Sequence, residues 1–239
     1  MKESFGEFRK KAQSGRIKSI QEDYYRFFSA YISWFFVRFT SLTGNKITFI
    51  WVIVGLLCVV FYTLGSYKFT LIAAGLYFIR HTLDRVDGEV ARYRNQQSIK
   101  GKLYDLFGHW VYEPLIFIAV SIGIYRTTNN FWILILGLFA LYGYYLCDLV
   151  NISIILHKPG SKETIEKHNV KSEFISSFSF KARVYRFIRF ITFVDYFHVI
   201  LLLASVFNIL WLFLIFSVIG WNFLWIVKVL SEIYIGGDY

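Results

Sequence analysis

The sequence holds only two cysteines, two prolines and one methionine in 239 residues. Cys58 and Cys147 lie far apart inside apolar stretches, so neither a Cys-x-x-Cys redox motif nor a cysteine-based zinc site can be assembled, and both read as core thiols. Charge is scarce as well. Asp, Glu, Lys and Arg make up 18% of the chain, against 56% hydrophobic and 21% aromatic residues, and the mean hydropathy is +0.48. One soluble core could not hide that much apolar surface, so lipid is expected to cover much of it. Acidic residues are the scarcer sign, 16 against 26 basic ones, for a formal charge of +10. In a membrane protein that excess belongs with cytosolic loops, and its anionic partners are lipid headgroups and phosphorylated substrates; no nucleic acid is expected. The basic first twenty residues lack the apolar run and small-residue cleavage site of a removable signal peptide, and no internal repeat or low-complexity tract is visible.

Long apolar runs are what the chain has in abundance. Six stretches approach or exceed the roughly 20 residues that cross a bilayer: about Ile47 to Leu64, Phe69 to His81, Leu103 to Tyr125, Phe131 to Leu156, Phe190 to Phe207 and Ile209 to Val229. Ahead of them, Tyr24 to Phe39 mixes aromatics with Arg26 and Arg38, as a helix lying in the headgroup layer does. The expected fold is an all-α membrane protein, a six-transmembrane-helix bundle with an N-terminal interfacial amphipathic helix. Residues 1–42 form the leader and interfacial helix, and 43–239 one membrane domain. Lys and Arg gather in the leader, in Arg92 to Lys102 and in Lys158 to Arg189, while the intervening turns hold few. That alternation predicts that both termini face the cytosol.

The second span continues into a charged stretch. From Asp84 onward the chain reads Asp84, two residues, Asp87, Gly88, two residues, Ala91, Arg92, eight residues, Gly101, three residues, Asp105, three residues, His109. At about 100° per residue the first five fall on one helix face, and Gly101, Asp105 and His109 form a stripe on the next helix. Three carboxylates converging across a tight cytosolic turn would repel one another unless cations lay between them, and hard oxygen ligands suit Mg²⁺ or Mn²⁺. Such a site can clamp a diphosphate and release a nucleoside monophosphate. Gly88 and Ala91 leave room for a nucleotide, and Arg92 can hold a phosphate oxygen.

This pattern resembles the signature of the CDP-alcohol phosphotransferases, Asp-x2-Asp-Gly-x2-Ala-Arg-x8-Gly-x3-Asp-x3-Asp, at every fixed position but the last. Thr43, Asn45, Ile47 and Thr48 are similar to the family's Thr-Pro-Asn-x-Ile-Thr, with Gly44 where the family often has Pro. The resemblance implies a six-helix, homodimeric enzyme with a cytosol-facing site. It implies two ions of Mg²⁺ or Mn²⁺ on Asp84, Asp87 and Asp105, and a nucleotide set of Asn45, Gly88, Ala91, Arg92 and Gly101. The expected reaction moves a phosphatidyl or phospho-alcohol group from a CDP-linked donor to an acceptor alcohol, releasing CMP, in phospholipid or related lipid or glycan synthesis.

His109 stands where the family has its final Asp. An imidazole is a competent general base near neutral pH but a poorer Mg²⁺ ligand. Glu113, one turn further on the same stripe, is expected to accept a hydrogen bond from His109 and raise its basicity, making His109 and Glu113 the catalytic pair. Glu113 could instead pair with another helix. Arg183, Arg186 and Arg189 recur every three residues and could bind an anionic acceptor or simply neutralise headgroups. Asp148 and Asn151 could line a polar cavity or bond between helices, and His81 could touch a phosphate or be merely solvated. The alternative function is a catalytically impaired relative that binds CDP-alcohol or nucleotide in a structural or regulatory role. A metal-gated transporter would leave the spacing of Gly88, Ala91, Arg92 and Gly101 without a reason.

Overall fold

The computed structural model describes residues 4–13, 20–157 and 196–235. Among the described residues all regular structure is helical, and the chain divides into two compact units, Met1–Ala119 and Val120–Tyr239.

The first unit opens with α1 (Phe5–Ala12), a helix inside the leader that the sequence reading did not separate out. Its signal was nevertheless present. Ser4 and Glu7 form a capping box, with the Glu7 N–H donating to Ser4 Oγ and the Ser4 N–H to Glu7 Oε2. Those donations hold the exposed Glu7 carboxyl below its ordinary range. Phe8 and Ala12 are buried, and the Phe8 ring meets Tyr93 at 5.0 Å. In α2 (Ile20–Phe39) Tyr25, Ser29 and Ser33 turn inward, while Phe27, Tyr31, Phe35 and Phe39 recur in four-residue steps on an exposed stripe.

Next come α3 (Gly44–Thr63) and α4 (Tyr67–Tyr93), which pack on each other. Gly44 shows how closely: a Cβ there would lie 2.8 Å from the Asp87 carbonyl oxygen and 3.0 Å from Ala91 Cβ. The departure from the family's Pro thus matches a helix crossing with no room for a side chain. Gly44→Ala is expected to force α3 away from α4 at a cost of about 1–3 kcal/mol, read as a lower unfolding midpoint of the protein in detergent.

The turn after α4 is set by Asn95, which takes a left-handed φ of 53°. The Asn95 N–H donates to the Arg92 carbonyl and the Gln96 N–H to that of Ala91, a Schellman closure that ends the helix sharply. Ser98 then starts α5 (Ile99–Thr128), its Oγ accepting from the Gly101 N–H. Five residues, Arg94 to Ser98, therefore return the chain beside the charged end of α4.

The second unit contains the end of α5, α6 (Trp132–His157), α7 (Phe197–Val206) and α8 (Leu210–Ile235). Gly143 admits Asn222 against α6, and Tyr144 meets Trp221 edge-on at 5.1 Å. The buried Lys228 amine donates to Asn151 Oδ1 at 2.7 Å and to Cys147 Sγ at 2.9 Å, so Asn151 takes part in an interhelical hydrogen bond.

Among the described residues four helices are long and apolar enough to cross a membrane: Gly44–Thr63, Ile99–Thr128, Trp132–Ser153 and Leu210–Ser231. The chain is an integral membrane protein. The expected second span lies in α4, whose polar end keeps it out of that set, and the expected fifth is described from residue 196 onward, where α7 covers ten residues.

Candidate active site

The site lies in the first unit, where α4 and α5 leave and re-enter the Asn95 turn. Helical spacing puts Asp84 on the last turns of α4 and Asp105, His109 and Glu113 on successive turns of α5. His109 is their meeting point. Its Nε2 lies 3.2 Å from Asp84 Oδ1 and 3.6 Å from Asp105 Oδ1, and its Nδ1 lies 2.8 Å from Glu113 Oε1. The helices thus bring together Asp84, Asp105 and His109, with one ligand atom of each within 4.8 Å of the others.

Asp87 is held differently. Its Oδ2 accepts from Thr48 Oγ1 at 2.7 Å and Trp51 Nε1 at 2.8 Å, both on α3. The Trp51 ring also meets the His109 ring at 5.3 Å, and Gly108 gives it room, since a Cβ there would collide with the indole. Beyond the apolar part of α4, the two acids differ in charge tendency. Burial pushes the Asp87 carboxyl up to about 7, the nearby Asp84 charge adds to the rise, and the two donated hydrogen bonds restrain it. Burial also disfavours the Asp84 carboxylate, but the charge of Arg80 and the His109 hydrogen bond outweigh it and hold that group well below the usual range.

Of the nucleotide set, Asn45 and Gly101 are neighbours: a Cβ on Gly101 would lie 2.8 Å from Asn45 Oδ1. Ala91 packs at the Gly44 crossing, one turn beyond Gly88. Arg92 lies against the leader, its Nε donating to the Ala12 carbonyl at 2.6 Å. Arg183, Arg186 and Arg189 lie outside the described residues.

Three side chains here escaped the sequence reading. Arg80 is fully buried, with Nη1 3.0 Å from His81 Nδ1 and Nη2 3.1 Å from His109 Nδ1. A cation ending an apolar stretch, four residues before Asp84, was its signal. Trp51 had none, because an indole in an apolar run looks like lipid contact. Glu89, inside the signature itself, is buried and accepts from Gln13 Nε2, Ser29 Oγ and Ser33 Oγ, which fastens α1 and α2 to the end of α4.

The donor set fits a divalent cation. Asp84 and Asp105 offer hard oxygens, His109 a nitrogen, and the buried Asp105 Oδ1 has no hydrogen-bond partner among the described residues. A model of the CDP-alcohol phosphatidyltransferase family matches residues 41–230. No curated protein matches the chain.

Proposed function

The chain belongs to the CDP-alcohol phosphatidyltransferase family, and from that premise we propose that it transfers a substituted phosphate group from a CDP-linked donor to an acceptor alcohol and releases CMP. The observation that carries this reading is the convergence of Asp84, Asp105 and His109 across the α4–α5 turn. Asp84, Asp87 and Asp105 would hold Mg²⁺ or Mn²⁺, two ions in all when the donor's diphosphate is bound. A bound divalent cation neutralises the diphosphate and draws charge from the bridging oxygen. Asn45, Gly88, Ala91 and Gly101 border the cytidine nucleotide, and Arg92, anchored through Nε, turns its terminal amino groups to a phosphate oxygen.

His109 receives the proton of the attacking hydroxyl at Nε2 while Glu113 accepts the Nδ1 hydrogen, which fixes the tautomer and supports the positive charge that forms. The alcohol oxygen bonds to phosphorus, the bond to the CMP oxygen breaks, and CMP leaves. Arg183, Arg186 and Arg189 meet an anionic acceptor. The product is a phospholipid or a related lipid or glycan intermediate. For the whole molecule we propose six spans, with Phe69 to His81 of α4 as the second and residues 190–207 as the fifth. The exposed aromatic stripe of α2 supports an interfacial leader over residues 1–42. Both termini and the site face the cytosol, and two copies pair.

One residue favours a second reading. His109 in place of the family's Asp suits a relative that binds nucleotide without turning it over. The deciding experiment incubates purified protein with Mg²⁺ or Mn²⁺ and a panel of CDP-alcohols and acceptor alcohols, with CMP and product followed by mass spectrometry. CMP from at least one pair is expected. Cation-dependent cytidine binding without CMP from any pair selects the binding-only reading, and neither binding nor CMP overturns both.

A further inference from the structure

Arg80, like Glu113, belongs to the α4–α5 cluster but lies outside the family signature. Its guanidinium, charged at any relevant pH, is fully removed from solvent. The protein builds a seat for it: the guanidinium carbon lies 4.4 Å from the centre of the Trp51 ring and 4.5 Å from that of Tyr112. Each ring rests on a glycine of the facing helix. A Cβ on Gly108 of α5 would strike Trp51 of α3, and a Cβ on Gly55 of α3 would lie 2.6 Å from the Tyr112 ring of α5. Three helices are thus shaped around one cation.

That cation borders the acids through His109. Arg80 Nη2 approaches His109 Nδ1, which also meets Glu113, while His109 Nε2 meets Asp84 and Asp105. Where the signature has a fourth carboxylate, this chain has an imidazole with a permanent positive charge 3.1 Å behind it. The imidazole offers a nitrogen in place of a hard oxygen, and the guanidinium behind it adds a fixed positive charge; both features act against a second metal ion. Asp87 cannot make up the loss with both oxygens, because Oδ2 is already taken by Thr48 and Trp51. Among the described residues, Asp84, Asp105 and His109 form one group close enough to surround a single ion.

We propose that the nucleotide-free protein loads a single divalent cation on Asp84 and Asp105, beside His109, and that Arg80 is a positioning residue whose fixed charge stands in for a second ion until a diphosphate arrives. The proposal rests on the reading of the site as a metal-dependent transferase and concerns its loading in the absence of substrate.

The test is a Mn²⁺ titration of the full-length protein in lipid nanodiscs without nucleotide, with free Mn²⁺ followed by its electron paramagnetic resonance signal. The wild type is expected to bind one Mn²⁺ per chain. Arg80→Gln, and Arg80→Met, which fills the slot between the rings without charge, should each bind a second Mn²⁺ at least tenfold more tightly than the wild type does. Arg80→Lys, which keeps the charge, should stay at one. Two comparable Mn²⁺ sites in the wild type, or unchanged binding in the folded uncharged variants, would overturn the proposal. Two sites together with CMP release would sink this inference alone, one site without CMP from any substrate pair would sink the transferase reading, and no Mn²⁺ binding would sink both.

Discussion

Asp84→Ala is expected to reduce CMP release by about 10³-fold or more, the scale seen when a group that stabilises transition-state charge is removed. Asp84 Oδ1 lies 3.2 Å from His109 Nε2 and belongs to the three-residue ligand group. Its loss removes a metal oxygen and a restraint on the imidazole together. Among the described residues Asp84 is bonded by His109 of α5 and by no α3 side chain, whereas Asp87 accepts from both Thr48 and Trp51. Asp87→Ala would therefore abolish turnover and also leave two buried donors unpaired, at about 1–3 kcal/mol each. Steady-state CMP release beside an unfolding midpoint separates the two variants: Asp84→Ala should be inactive with a nearly native midpoint, and Asp87→Ala inactive and destabilised. Activity in Asp84→Ala within tenfold of wild type would remove this carboxylate from the chemistry. His109→Asp, which restores the family's residue, should retain part of the activity.

Glu113→Gln is expected to lower kcat by about 10–100-fold, the usual cost of losing an outer partner of a functional histidine, with KM for the CDP-linked donor little changed. Glu113 lies 2.8 Å from His109 Nδ1 and on the far side of the ring from Asp84 and Asp105. An amide can still hydrogen-bond the ring but no longer offers a negative charge to the imidazolium formed when the hydroxyl proton arrives. Turnover and its pH profile should both change. If both match wild type, Glu113 is a structural neighbour and His109 acts without it.

Much of this site was legible before any fold was known, because helices convert spacing into direction. Asp105, His109 and Glu113 are separated by four residues each, so they had to share a stripe, and the contact between His109 and Glu113 is the one that spacing predicts. The α1 helix was legible too, in Ser4 and Glu7, but a short polar leader draws attention to its charge rather than to its caps. Arg92 shows the limit. Its place in the signature suggests a phosphate ligand, but no local pattern carries the further fact that its Nε bonds to Ala12, eighty residues earlier.

The amino-acid sequence alone determined that this chain is helical and lives in lipid, and that acids and an imidazole recur at one end of two consecutive helices. Composition and period decide those properties, since they depend on near neighbours and on the cost of exposing apolar surface. Tertiary structure alone decided which α3 groups hold Asp87, that Gly108 and Gly55 make room for Trp51 and Tyr112, and that Arg80 sits buried between those rings beside His109. Those contacts join residues dozens of positions apart. They follow from how closely three helices can approach, which packing settles and periodicity does not.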